Sequence, residues 1–362
     1  MKPISFLFFF LIFFSKISFI KSSECLSKKN LNIGLLKNEY IDYEPYLYYE
    51  LGNFTLNSET SFNLELVENN EDKFDIIFGE YYDLKKFHNR NLTLNNEILD
   101  FYKKNNIEIF GNILPLDLDT FIILSKNIQE RLTLDELSNF YSPTQYSLGI
   151  NLEPNEQFIK LITYNLNGSP INNTDIYLEY LLSLYTNTYI NINKNIIESN
   201  FLELFESFEN YENTFTVFSD GILMNKNISY AYFQLFPHAK YIWNDDKGFF
   251  NESTLENPVS FFGFSAYINN EENLGLICHL INEKIRINTF KNFNLQISPL
   301  SDREILEYPS PLPSSYIDIL KNKFKFIEEY DGYNLENYNI FNEIISGRKE
   351  FKELIIYEDY LN

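Results

Sequence analysis

Short apolar runs and helical stripes follow one another along this chain. "LNIGLLKN" (residues 31–38) is an apolar run that ends in polar residues, which predicts a buried first strand. "EPYLYYELGNF" has the spacing of a short helix, with Gly52 near its C-terminal end. "SFNLELVEN" alternates polar and apolar positions, as a half-exposed strand does. "DKFDIIFG" is apolar on both faces and suits the middle of a parallel sheet. Strands separated by helical segments imply a layered α/β lobe.

The pattern repeats further on. "IEIFGNILPLDLDTFIILSKN" (residues 107–127) holds two apolar runs around "LPLDLD", and "TFIILSKN" reads as a strong strand. In "ERLTLDELSNFY", Thr133 can cap a helix start, with Glu136 three residues on to complete a capping box. "YSLGINL" and "NTFTVFSDGILM" read as strands, and "TDIYLEYLLSLYTN" and "SNFLELFESFENYE" as helices. "VSFFGFSAYINN" is a strand broken by Gly263. "EENLGLICHLINEKIRINTFKNF" predicts a helix of about five turns, with positions 274, 277, 278, 281 and 285 on one apolar face. "PSPLPSS" is a proline-rich linker, and the tail reads as amphipathic helices.

Several features bound the function classes. Residues 1–23 pair a positive start with the apolar run "ISFLFFFLIFFSKISFI", and read as a cleaved signal peptide. Lys16 interrupts that run, leaving it too short for a span of about 20 residues. Localisation is then periplasmic or extracellular. Cys25 follows directly, where a lipid anchor would attach, but Glu24 before it is a poor fit to such a signal. The other cysteine, Cys278, could pair with Cys25 or stay a buried thiol. The formal charge of −22 over 362 residues repels nucleic acid and anionic membrane. There is no glycine-rich phosphate loop and no nucleophile elbow. None of the three histidines has a metal-ligand partner at close spacing. Nothing marks an enzyme, and no cofactor or metal is expected.

The order of segments resembles the extracellular solute-binding proteins of the maltose-binding class, the binding components of ATP-driven importers. Four stretches carry the resemblance. "FDIIFGEYYDL" is similar to the strand whose end helps form the ligand cleft. "LPLDLDTFIILSKN" is similar to the first crossover, and "LTLDELSNF" to the capped segment after it, with Leu134 in place of a tryptophan. The stretch from "FFGFSAYINN" to "SPLSDREI" is similar to the second crossover, its helix and the turn that follows.

The resemblance implies an α/β, two-lobed, periplasmic-binding-protein-like fold of type II, with a ligand cleft between lobes. Lobe 1 would hold 25–116 and 259–303, and lobe 2 would hold 117–258 and 304–362. The partners implied are a small solute, a sugar or polyol by preference, and the membrane permease of an ABC importer, with the binding protein a monomer. At the end of the "FDIIF" strand, Glu80, Tyr81, Tyr82 and Asp83 would face the cleft, since ligands of open α/β sheets bind beyond the strands' carboxyl ends. Carboxylates accept hydrogen bonds from hydroxyls or ammonium groups, and tyrosine rings stack on a sugar's apolar face. Asp117 and Asp119 fall at the hinge, Asp220 and Trp243 at the cleft side of lobe 2, Phe262 and Phe264 at the second crossover, and Arg303 beyond it. The same acids and tyrosines suit a cationic solute such as a polyamine, or a ferric ion. A bilobal surface protein that binds a protein partner is a further alternative, as is a secreted hydrolase using two cleft acids.

Overall fold

The computed structural model describes residues 29–37, 43–58, 60–67, 71–87, 92–105, 107–109, 111–119, 121–125, 132–136, 147–150, 180, 183–184, 214–219, 232–235, 239–244, 247–252, 259–270, 273–282, 284–287, 292 and 326–328. The first third of the chain supplies strands β1 (Asn30–Leu35), β2 (Ser61–Leu66), β3 (Ile76–Glu80), β4 (Ile113–Pro115) and β5 (Leu118–Asp119). Helices α1 (Glu44–Ser58), α2 (Tyr81–Leu84) and α3 (Asn96–Lys104) lie between them. Strands β6 (Phe121–Ser125), β7 (Ser147–Ile150), β8 (Thr214–Ser219) and β9 (Tyr232–Leu235) follow. Then come a hairpin of β10 (Tyr241–Asn244) and β11 (Phe249–Glu252), strands β12 (Val259–Phe262) and β13 (Phe264–Ile268), helix α4 (Leu274–Leu280) and strand β14 (Phe326–Glu328). No helix among the described residues is long and apolar enough to cross a membrane.

The main sheet has the order β2-β1-β3-β13-β4. β1 runs parallel to β2 and β3, while β13 is antiparallel to β3 and β4. The "DKFDIIFG" strand therefore lies between one parallel and one antiparallel neighbour, not within a purely parallel sheet. Ile76, Ile77 and Phe78 are all buried in one core with residues of α1, α3 and α4. At about 25 cal/mol per Å² of apolar surface, such fully buried Ile and Phe side chains each contribute roughly 1.5–3 kcal/mol.

Two glycines are needed for close approach in this layer. A Cβ on Gly34 would lie 2.5 Å from Val67, and one on Gly79 2.9 Å from the Leu36 Cβ. Gly52, by contrast, does not end its helix. α1 runs on to Ser58, and a side chain at 52 would meet open space.

Helix α3 starts at a side-chain cap: the Asn95 carboxamide oxygen accepts the Ile98 N–H at 2.9 Å. The five-turn helix predicted over "EENLGLICHLINEKIRINTFKNF" is interrupted. α4 ends at Leu280, and a new helical turn begins at 284. Asn282 is the reason, because its side-chain oxygen accepts the Lys284 N–H at 3.1 Å and offers the backbone a fresh start. Before the break the apolar face is buried at Leu274, Ile277, Cys278 and Ile281; beyond it Ile285 is half-buried and Arg286 is the buried position. The tail contributes β14, parallel to β12; its end, read as amphipathic helices, lies outside the described residues. The segment "SNFLELFESFENYE" and the proline-rich linker lie outside the described residues.

The remaining strands form two further sheets and the hairpin. β7-β8-β6-β9 is a four-stranded sheet, and β14-β12-β5 a three-stranded one. The capping box at Thr133 is present: the Thr133 N–H donates to Glu136 at 2.8 Å, and the Glu136 N–H to Thr133 Oγ1 at 3.3 Å. Next to it, the Asp135 carboxylate accepts from Tyr180 and, at 2.8 Å, from the Lys240 N–H, so three separate stretches converge on one side chain.

Candidate functional site

The chain passes between the main sheet and the three-stranded sheet twice, and the two passages lie side by side. β4 and β13 pair antiparallel within the main sheet, with Ser265 opposite Pro115. β5 and β12 pair antiparallel within the other, with Phe262 opposite Leu118. Both passages change sheet at the same level, at Leu116–Asp117 on one and Gly263 on the other. There the Phe264 carbonyl accepts two N–H groups, from Leu116 at 2.8 Å and Asp117 at 3.0 Å, and the Gly263 N–H returns to the Asp117 carbonyl at 3.0 Å. Two residues facing one is the arrangement of a β-bulge, which bends a strand and increases its twist. Gly263, the one interruption in "VSFFGFSAY", sits at that bend.

The C-terminal end of β3 meets this seam. Glu80 is opposite Phe264, and the Tyr81 N–H donates to the Gly263 carbonyl at 2.9 Å. Glu80 is half-buried, and its Oε1 accepts the Tyr43 hydroxyl at 2.6 Å. The Tyr43 ring stacks on Phe264 with centroids 4.1 Å apart. The Tyr81 ring packs on Phe262 at 4.8 Å, and the Lys85 ammonium lies 5.6 Å from the Tyr81 ring centre. The two phenylalanines that flank Gly263 thus form an aromatic floor, one under Tyr43 and one under Tyr81. All four rings are buried, Phe264 to 1% exposure. Asp83, next in α2, is partly exposed and pairs with Lys86.

Asp117 is buried, at 3% exposure. It lies within the electrostatic reach of Arg286, on the helical turn after α4, together with Glu50 and Tyr46 of α1 and Tyr102 of α3. Burial pulls the Arg286 guanidinium below its ordinary pKa, while Tyr46, Asp117, Tyr102 and Glu50 oppose that shift. Burial also raises the Tyr46 and Tyr102 phenols well above the usual tyrosine range, so both are neutral donors at any physiological pH. Tyr102 donates to the Pro115 carbonyl at 2.6 Å, which ties α3 to the strand just before the bend. The His279 imidazole Nε2 lies 3.4 Å from Glu50 Oε2 at the back of the cluster.

The structure therefore brings Glu80, Tyr81, Asp117, Phe262 and Phe264 together around one seam. Asp119 is in β5 opposite Phe261. Tyr82 is in α2, beside Tyr81 and Asp83. Trp243 is in β10, opposite Phe250 of an aromatic hairpin on which Tyr241, Phe249 and Phe250 are exposed. Asp220 and Arg303 lie outside the described residues. Tyr43 and Arg286 were not singled out from the sequence. Tyr43 just precedes α1, in a tyrosine-rich run where no single ring stands out. Arg286 is one cation between two isoleucines, and its only signal is that place in an apolar stripe.

Two sheets linked by paired antiparallel passages define the two-lobed fold of the periplasmic binding proteins. Solved structures carry the same fold at low sequence identity. One is the cyclic alpha-maltosyl-1,6-maltose binding protein of Arthrobacter globiformis, at TM-score 0.60 and 10% identity over 90% of this chain and 95% of that one. Another is an ABC substrate-binding protein of Listeria monocytogenes in complex with cycloalternan, at TM-score 0.61 and 12% identity over 93% and 98%. A third is an ABC transporter solute-binding protein of Agrobacterium radiobacter in complex with ribitol, at TM-score 0.58 and 11% identity over 93% and 100%. No family model matches the sequence, and no curated protein matches it significantly.

Proposed function

We propose that this chain is an exported solute-binding protein that captures a sugar or polyol and delivers it to the permease of an ABC importer. The observation that carries the reading is the placement of Glu80. A strand end, a half-buried carboxylate oriented by a buried tyrosine, and the bend of both passages coincide at one point. A cleft over such a seam can close by small rotations at few residues, driven by ligand contacts on both sides. The fold's solved relatives include proteins crystallised with ribitol and with cycloalternan, which supports a polyhydroxylated ligand.

In this reading Glu80, Tyr82 and Asp83 contact the solute from one lobe, and Asp119, Asp220, Trp243 and Arg303 are candidates from the other side and the hinge. Tyr81, Phe262 and Phe264 form the floor that positions Glu80, and Asp117 anchors the bend. Carboxylates on a buried aromatic base bind by accepting hydrogen bonds from hydroxyls. The chain catalyses no reaction and acts as a monomer.

The test is a thermal-shift screen of the secreted protein against sugars, polyols, amines, amino acids and ferric ion. A ligand that binds only the folded state at a hundredfold excess over Kd stabilises it by about 2.7 kcal/mol. A shift with a sugar or polyol that is lost in Tyr82→Ala is the expected result. A shift with amines or iron alone would replace the ligand class. No shift with any of them would move the role to binding a protein.

A further inference from the structure

Cys278 is disulfide-bonded, and no described cysteine is free. Its residue is buried to 5% exposure on the core face of α4, between Ile277 and the α3 cap. Asn95, which caps α3, also donates to the Cys278 sulfur at 3.4 Å. A sulfur that deep cannot reach a second molecule, so its partner belongs to the same chain. The sequence contains two cysteines, and the other is Cys25.

The topology brings the required ends together. β1 begins at Asn30, five residues after Cys25, and five residues reach about 17 Å at most. The start of β1 and the end of β13 lie on either side of the start of β3. The Asn269 N–H donates to the Asp75 carbonyl at 3.0 Å, and the Asp75 N–H donates to the Asn32 carbonyl at 2.7 Å. α4 starts a few residues past that point, at Leu274, and Cys278 is in its second turn.

We propose that Cys25 and Cys278 form a structural disulfide that pins the start of the exported chain to α4, and that this bond takes the thiol a lipid anchor would need. The two fates exclude each other, because a cysteine sulfur bonded to a second sulfur cannot also carry a thioether-linked lipid. Formation breaks two S–H bonds, makes one S–S bond and releases two protons and two electrons. The electrons pass to a thiol–disulfide oxidoreductase of the oxidising compartment, whose own disulfide becomes a dithiol. The cross-link encloses every strand from β1 to β13, so the main sheet becomes a covalently closed unit. The proposal rests on export alone and is independent of which solute binds.

Non-reducing peptide mapping of the wild-type protein, secreted from its full-length gene, tests it. The expected result is one linked peptide pair containing Cys25 and Cys278. In addition, iodoacetamide should label neither cysteine in unfolded, unreduced protein, and the N-terminal peptide should carry no acyl mass. Labelling of Cys278 before reduction would overturn the proposal, as would a lipid mass on Cys25 or a Cys278–Cys278 dimer. Cys25→Ser supplies a second reading: Cys278 should then label fully once the chain is unfolded. A Cys278 that stays unlabelled there would mean another partner and would overturn the assignment.

Discussion

Tyr43 holds Glu80 by one short hydrogen bond, phenol to carboxylate. Tyr43→Phe keeps the ring on Phe264 and deletes that bond. Glu80 is only half-buried and can turn to water, so the stability cost is near the lower end for a bond to a charged group, about 1.5 kcal/mol in a urea titration. Solute affinity should fall more visibly, by about tenfold or 1.4 kcal/mol in calorimetry, because the carboxylate loses its orientation. An unchanged Kd would remove Glu80 from the site. Gly79 is the neighbouring constraint. Gly79→Ala forces a Cβ to 2.9 Å from the Leu36 Cβ, and overpacking of this kind costs about 1–3 kcal/mol, read as a lower urea midpoint. The need for glycine there was not visible locally, since Leu36 reaches Gly79 only when β3 lies beside β1.

Among elements, the helix start at Thr133 and the turn carrying Arg286 respond to different perturbations. Thr133 and Glu136 exchange hydrogen bonds, and the backbone N–H and hydroxyl of Thr133 hold the Glu136 carboxyl below its ordinary pKa. A depressed carboxylate pKa favours the folded state above the unfolded value of about 4.3, and that contribution disappears as pH falls through the folded value. Thr133→Ala should cost about 1 kcal/mol near neutral pH. The gap between wild type and variant should narrow below about pH 4, which paired urea titrations at both pH values would show. Arg286 behaves oppositely in scale. Arg286→Met removes the buried cation that faces Asp117 and Glu50, a loss of about 3–5 kcal/mol. A near-neutral result by chemical denaturation would show that the cluster is not held by charge. The capping box was legible because its partners are three residues apart. Arg286 was not, because its partners come from three other elements.

Over the whole molecule, the net charge of −22 leaves the solute's charge open, and salt decides it. A neutral sugar or polyol bound by hydrogen bonds and ring stacking should keep the same Kd between 0.05 and 0.5 M salt. A cationic solute drawn to Glu80 and Asp83 should bind several-fold more weakly at the higher salt, since screening lengths there fall to a few ångström. Calorimetry at the two salt concentrations separates these outcomes. The placement of site residues reflects the same division of scales. The strand end at Glu80 and the break at Gly263 could be read from short apolar runs that stop at polar or glycine positions. That the two points touch could not, because they lie far apart in sequence and meet only through β3–β13 pairing.

What the sequence determined by itself is local. The positions of β1, β3, β6, β8, β12 and β13, the helix start at Thr133 and the α/β class follow from side-chain periodicity and capping within a few residues. Tertiary structure alone decided that β13 enters antiparallel beside β3, that Tyr43 holds Glu80, and that Asp117 turns inward toward Arg286. Each of these depends on a contact between segments distant in sequence. Burial and pairing energies there exceed local preferences of a few tenths of a kcal/mol per residue, so no window along the chain could have revealed them.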